Sequence, residues 1–550
     1  MNIYTLLRNN SGLITLGIFL SLLSTASTLL LPALVSQLLL GVGSGEVRKP
    51  LVLLVLAILA TAVFTAFTMY TTSVAADRAV RDLRKKITNH LLYLHMKEFE
   101  KVGAGGFTTR VTTDTSVIST AASSTLVDFV GGITVIIGAL VYMAVIDWKL
   151  LFVVLVVLSI ALVIIIVISS SLQSLSSRVQ DHLAALGSIL QSSLSAFRTI
   201  KAFRSESKVI GRLDNEIDHA YRNRRKMSFI EATLDPLSTV ASYIALITVA
   251  LFGSIRLSNG DLSAESLTTF VTALFLMLAP VVQVTQSFGT FFEAKGALNR
   301  VNRLFDLKVE DPCKVTSDSP STIPLSGSIE LDSVSYHSDD RVIIDNVSLS
   351  VKEGEKIALT GASGSGKTTI FSLLLNLYDV SSGHIRIGGR DLNHWSKKEL
   401  RSMVTYVEQE PDLLPGTLRE NLTLGSHQLP SDNTLISLLK KFGLEKFSSP
   451  AGLERLVGFE NSGLSGGERQ RVAIIRAIVQ QSSIILVDEP TSALDSESAK
   501  LAMDSLLNTT ATVIFTSHDP EAVDLADKSF VVSDGKLFED ALFNRRMFNE

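Results

Sequence analysis

Gly361-Ala-Ser-Gly-Ser-Gly-Lys-Thr-Thr369 is a glycine-rich loop that closes on Lys-Thr. In loops of this spacing, small residues let successive backbone N–H groups wrap phosphates. The lysine reaches the outer phosphates and the following hydroxyl coordinates magnesium. Gly361, Ser363, Gly364, Ser365, Gly366 and Thr369 are therefore candidates for the phosphate cradle, Lys367 for the phosphate charge and Thr368 for Mg2+. The flanks support this. Lys356-Ile-Ala-Leu-Thr360 is a short apolar run entering the loop, and Ile370-Phe-Ser-Leu-Leu-Leu-Asn-Leu377 leaves it. Strand, loop and helix in that order aim the partial positive charge of a helix N-terminus at the phosphates.

From about residue 323 onward β-branched runs alternate with helical patterns, which predicts an α/β domain over residues 325–550. Within it, Ile484-Ile-Leu-Val487 reads as a buried strand ending in Asp488-Glu489-Pro490. An aspartate there can hold magnesium, and the adjacent glutamate can orient or deprotonate an attacking water. Ahead of the domain lies a polar linker, residues 306–324, containing Asp311-Pro-Cys-Lys-Val-Thr-Ser-Asp-Ser-Pro-Ser-Thr322.

The chain of 550 residues is 46% apolar and only 19% charged, with a mean hydropathy of +0.34. The apolar excess sits before residue 294, in stretches at 13–40, 51–76, 125–146, 150–168, 237–255 and 267–288. Each approaches or exceeds the ~20 helical residues that cross ~30 Å of hydrocarbon. Any one alone would read as a buried core helix, and the first as a secretory signal, although it is long for one. Six together predict an all-α transmembrane domain over residues 1–305. Cationic residues mark the cytoplasmic side. Arg78 to Arg110 and Arg198 to Lys226 carry them, so both termini and the phosphate loop are expected inside, in a multi-pass protein of the cytoplasmic membrane. From Ser73 to Val102 the pattern stays helical but turns amphipathic, which predicts that the second span runs on into the cytoplasm until Gly103-Ala-Gly-Gly106. The net charge of −4 gives no sign of nucleic-acid binding, and Cys313, the lone cysteine, excludes an intrachain disulfide or a cysteine zinc site.

With Leu464-Ser-Gly-Gly-Glu-Arg-Gln-Arg471 added, the chain resembles the ATP-binding cassette transporters of the exporter type, half-transporters with a membrane domain ahead of an ATPase. Gln409 matches that family's Q-loop, Ser492-Ala-Leu-Asp495 its D-loop and His518 its switch histidine. Tyr336 stands where the family stacks an aromatic ring on adenine. Gly106-Phe-Thr-Thr-Arg-Val-Thr-Thr-Asp114 and Ile200-Lys-Ala-Phe-Arg-Ser-Glu206 resemble the loops that dock on the ATPase. The resemblance implies a homodimer in which ATP lies between one chain's phosphate loop and Ser465, Gly466, Gly467 and Glu468 of the other. Glu489 and His518 are then catalytic, and Thr368, Gln409 and Asp488 hold Mg2+.

Two departures stand out. Phe459 replaces the usual glutamate of the loop ahead of the signature, and Glu468 replaces a glutamine. For substrate, Asp128, Gln37, Gln283 and Gln286 are candidate cavity residues, with a hydrated Asp128 and interhelical hydrogen bonds as the plain alternatives. The expected function is ATP-driven efflux of an amphipathic drug, lipid or peptide. The rivals are an importer of metal chelates with the same architecture, a regulatory member that binds ATP without transport, and a soluble cassette ATPase. The last would lack the six spans, and a regulatory member would be expected to lose Glu489 or His518.

Overall fold

Uninterrupted apolar sequence leaves the backbone no water to bond with, so it satisfies itself as helix. The computed structural model describes residues 10–44, 47–311, 326–338, 341–426, 428–458 and 463–540. Nine α-helices are described up to Phe305: α1 (Ser11–Ser44), α2 (Arg48–Leu92), α3 (Met96–Thr109), α4 (Thr115–Thr120), α5 (Leu126–Ile146), α6 (Trp148–Ser195), α7 (Phe197–Ala202), α8 (Glu206–Ser258) and α9 (Ala264–Phe305). Five stretches among the described residues are long and apolar enough to cross a membrane: Ser11–Leu39, Arg48–Leu92, Met96–Ile146, Thr239–Ser258 and Ala264–Phe305. The fourth expected span falls in α6, where a shorter apolar stretch, Trp148–Ile160, is described. Burial separates these helices from core helices of a soluble domain. Only 6% of the most apolar stretch of α2 is buried, and Leu53, Leu56, Ile58 and Phe67 are all exposed. Such a surface suits hydrocarbon as its solvent.

The α5–α6 connection is a single residue. The carboxylate of Asp147 accepts from the backbone N–H of Lys149 at 2.9 Å and of Leu150 at 3.1 Å, capping α6, and pairs with Arg256 at the end of α8. Ala139, Met143, Leu150, Val154, Ala245, Val249 and Phe270 build the helical core. The helices α6 and α8, of 48 and 53 residues, are each far longer than the ~20 that span hydrocarbon. The short helix α7 that lies between them holds the basic segment around Ile200.

The expectation of one helix through residues 73–102 is corrected. α2 ends at Leu92, because residues 93–95 leave the helix to bond with the chain after α9. Leu94 bridges Val309, the His95 N–H donates to Lys308 O at 3.1 Å, and the Glu310 N–H donates to Tyr93 O at 2.6 Å. As a result the chain divides into two units that interleave in sequence: 1–89 with 105–306, and 90–104 with 307–550.

In the second unit, β1 (Ile329–Ser338), β2 (Arg341–Val351), β4 (Ser382–Ile387) and β5 (Arg390–Asp391) form an antiparallel sheet in the order β2-β1-β4-β5. A larger sheet runs β12-β11-β3-β10-β9-β6. Its members are β3 (Lys356–Thr360), β6 (Val404–Val407), β9 (Ile484–Val487), β10 (Thr512–Thr516), β11 (Lys528–Ser533) and β12 (Lys536–Glu539). All but β12 are parallel. Every residue of β9 and β10 is buried, as strands covered on both faces must be. β7 (Gly416–Thr417) and β8 (Leu456–Val457) form a separate pair. The helices that matter for the site are α10 (Lys367–Leu374), α11 (Gly466–Gln480) and α12 (Ser496–Leu507).

Candidate active site

Parallel strands all end on the same edge of their sheet, and ligands of such sheets bind in the crevice outside those ends. Here β3 delivers the loop from Gly361, β6 delivers Gln409, β9 delivers Asp488 and Glu489, and β10 delivers Ser517 and His518. Residues up to 157 positions apart in sequence are thus gathered at one edge.

The loop is shaped by what surrounds it. Gly361 adopts φ 135°, and a Cβ there would lie 2.2 Å from the Val532 carbonyl oxygen, so only glycine fits. Ser363 and Gly364 lie exposed on the turn, and Gly366 leads directly into α10 with Lys367 as its first residue. Lys367 is 7% exposed; its Nζ donates to the carbonyls of Gly361 at 2.6 Å and Ala362 at 3.0 Å, so the ammonium is held over the concave side of the loop. Ser365 Oγ is buried and has no hydrogen-bond partner among the described residues. A buried orphan hydroxyl in a phosphate-shaped loop fits a polyphosphate ligand.

Behind the loop, the Thr368 hydroxyl donates to Asp488 Oδ2 at 2.7 Å, while Thr516 donates to Asp488 Oδ1 at 2.7 Å. Tyr406, whose hydroxyl is pushed well above its ordinary value by burial and by the neighbouring Asp488 and Glu408, stays protonated and reaches Asp488 Oδ2 at 3.5 Å. Asp488 itself is 4% exposed. Hydroxyl and carboxylate oxygens in this pairing suit a hard cation such as Mg2+. Beside it, Glu489 takes φ 45°, a left-handed conformation that costs a non-glycine residue free energy and is found chiefly where function demands it. Its N–H donates to Thr516 Oγ1 at 2.8 Å. Its carboxylate accepts from Gln409 Nε2 at 2.7 Å on one oxygen and faces His518 Nε2 at 3.4 Å on the other. Gln409 therefore contacts the expected base, not the Thr368–Asp488 pair.

One family model, described as the ABC transporter transmembrane region, matches residues 14–281, and a second, described as ABC transporter, matches residues 344–492. The chain belongs to the ATP-binding cassette transporters. This ABC transporter joins a helical membrane region to an ATPase of the exporter arrangement, binds ATP and couples its hydrolysis to transport across a membrane it crosses several times. It is 26% identical over 95% of its length to a multidrug resistance ABC transporter ATP-binding and permease protein of Lactococcus lactis subsp. cremoris, covering 89% of that protein. It is 27% identical to an ATP-dependent lipid A-core flippase of Haemophilus influenzae, over 84% of this chain and 79% of the relative. It is also 27% identical to the serine protease/ABC transporter B family protein tagA of Dictyostelium discoideum, of which it spans 30%.

Other sequence candidates of the transporter fall as follows. Ser465 caps α11, accepting from the Glu468 N–H at 3.2 Å while Glu468 Oε2 accepts from the Ser465 N–H at 2.8 Å. Gly467 packs on the D-loop, where a Cβ would sit 2.8 Å from Ala493 O. No described contact joins Ser465, Gly466 or Gly467 to the phosphate loop of the same chain. Tyr336 does not present an open ring for adenine. It is 7% exposed within the core of the smaller sheet, and its ring stacks on Tyr378 at 5.4 Å. Val334 and Ser335 before it on β1 are buried with it, where the strand shifts register against β2. In the membrane region Asp128 accepts from Gln283 at 2.6 Å, Gln37 is exposed, and the side chain of Gln286 lies outside the described residues, as does Phe459.

Two residues escaped sequence reasoning. Thr516 ties Asp488 to Glu489, and its only signal was a hydroxyl closing an apolar strand two residues before His518. Lys446 Nζ pairs with Glu468 Oε1 at 2.5 Å. Burial raises the Glu468 carboxyl, but the hydrogen bonds from Lys446 and the Ser465 N–H outweigh it and hold the group below its ordinary value. Nothing in the sequence linked two residues 22 positions apart.

Proposed function

We propose that the protein exports an amphipathic substrate from the cytoplasm as a homodimer, by alternating access. The observation that carries the catalytic part is the double hold on Glu489, between Gln409 and His518, next to the Thr368–Asp488 pair. Lys367 and the N–H groups of the loop bind the β- and γ-phosphates of ATP, and Thr368 with Asp488 would hold Mg2+. When bound, the metal supplies positive charge to the phosphate oxygens. Glu489 accepts a proton from water as the water oxygen bonds to the γ-phosphorus and the bond to the bridging oxygen of ADP breaks. His518 and Gln409 keep the carboxylate aimed, one on each oxygen.

One chain carries one phosphate loop and one signature turn, and in this reading two copies close with each Ser465–Gly467 turn over the partner's γ-phosphate. Backbone N–H groups at the start of α11 are suited to that anion. Closure driven by two triphosphates then switches the membrane helices outward, and hydrolysis returns them. Turning a 1:99 equilibrium into 99:1 takes about 5.5 kcal/mol of differential binding, which the two bound triphosphates together must supply. The relatives named for multidrug resistance and lipid flipping support an amphipathic cargo. The basic connections 78–110 and 198–226 support a cytoplasmic ATPase.

Glu489→Gln tests the base. It is expected to cut ATP hydrolysis by about a hundredfold or more while a fluorescent nucleotide still binds. Near-normal turnover would refute the assignment. Movement of a labelled amphipath into inside-out vesicles on adding ATP tests export against import.

A further inference from the structure

The membrane unit holds a cavity of about 150 Å3 where α1, α2, α5 and α9 converge, and its walls do not match the apolar faces of those helices. Polar groups line it: Ser21, Thr25, Thr65, Thr68, Asp128 and Gln283. Ser21, Thr25 and Thr68 are all more than nine-tenths buried, and Thr68 Oγ1 is buried with no hydrogen-bond partner among the described residues. Thr65 Oγ1 lies 2.8 Å from Ser24 Oγ, and Asp128 Oδ1 accepts from Gln283 Nε2 at 2.6 Å. That last contact depends on close helix approach. A Cβ on Gly132 would lie 2.6 Å from Val284 Cγ2, so the bare glycine lets α9 bring Gln283 within reach of α5.

We propose that this cavity is the subsite for the primary ammonium head of the exported amphipath. The inference rests on the exporter reading above and names its substrate class. Three features select the head group. First, among the described lining residues Asp128 is the one that carries charge and none is Lys, Arg or His, so an anionic head would meet a carboxylate and no cation. An uncharged alcohol would leave that carboxylate without a counter-charge. Second, an ammonium has three N–H donors and no acceptor, while carboxylate and hydroxyl oxygens accept, so Asp128, Thr68 and a neighbouring hydroxyl complete its shell. Third, none of the described lining residues is aromatic, so they offer no ring faces of the kind by which quaternary ammonium groups are bound. Size sets the limit of the subsite. Drug-sized ligands occupy roughly 300–1,000 Å3, so this cavity takes the head and leaves the tail among the exposed apolar side chains.

The test uses the full chain in lipid discs, with ATP hydrolysis titrated by dodecylamine, dodecyltrimethylammonium and dodecanol. Dodecylamine is expected to reach half-maximal stimulation at about a tenfold lower concentration than the other two, the size of a charge-assisted hydrogen bond. Asp128→Asn should erase that advantage, and Thr68→Val, which keeps the shape and loses the hydroxyl, should reduce it severalfold. Equal potency of the three probes in the wild type overturns the proposal. So does an amine advantage that survives Asp128→Asn. If Asp128→Asn fails to yield folded protein, the wild-type ranking and Thr68→Val still decide. ATP-driven transport of all three probes alike would keep the exporter and remove the subsite, whereas no transport of any would remove the exporter reading itself.

Discussion

Glu468 puts a negative charge on the first turn of the helix whose N-terminus is proposed to hold a γ-phosphate, and Lys446 answers it at 2.5 Å. Without the lysine, a carboxylate would stand against the incoming anion. Lys446→Met is therefore expected to raise the KM for ATP about three- to tenfold, from the loss of one charged hydrogen bond. Adding Glu468→Gln should restore most of it. Steady-state hydrolysis of the two single variants and the double variant checks this, and additive effects would show that the pair is not coupled. Glu489 illustrates what residue identity does and does not convey. Its position after a buried apolar run marked it as a base, but its left-handed backbone and its grip by Gln409 and His518 arise only when three strand ends meet. Tyr336 shows the reverse, since its ring packs on Tyr378 within three consecutive buried residues, Val334 to Tyr336, where β1 shifts register against β2.

Among the elements, the break after α2 is the one that sequence periodicity missed. Val80, Leu83 and Ile87 repeat as a helix should and are buried, and nothing local stops the pattern at Leu92. The stop comes from backbone pairing with residues 308–310, which are more than 200 positions away. Glu310 anchors that pairing segment through Lys397 at 2.9 Å and Arg401 at 2.8 Å. Burial works against its charge, but the hydrogen bonds from Arg401 and Lys397 prevail and its carboxyl is held below the ordinary 4.5. A depressed folded value means stability that is complete above about pH 4.5 and is lost as pH falls through the folded value. The thermal midpoint of Glu310→Gln should thus fall below that of wild type at pH 7, and the gap should shrink on acidification below pH 4.5. A gap independent of pH would assign the loss to something other than the carboxylate charge. In the membrane unit, Gly132→Val should force α5 and α9 apart, at about 1–3 kcal/mol for overpacking. A thermal midpoint equal to wild type would contradict the contact with Val284.

For the molecule as a whole, the proposed unit of function is a pair of chains, because the two halves of a nucleotide site, phosphate loop and signature turn, have no described contact within one chain. Discs loaded with a single copy are expected to hydrolyse ATP at least about a hundredfold more slowly per chain than discs with two, on the scale of losing a transition-state contact. Full activity in single-copy discs would defeat the pairing. Hydropathy and motif order alone determined the two-part architecture, the strand–loop–helix around Lys367 and the acids after β9, because each depends on local periodicity or on contiguous residues. Tertiary structure alone decided the Thr516 bridge, the Lys446–Glu468 pair, the interleaving of residues 90–104 with the ATPase, and the hydroxyl-lined cavity beside Asp128. Those depend on which strands and helices become neighbours, and adjacency is set by packing across the whole chain, which no local window contains.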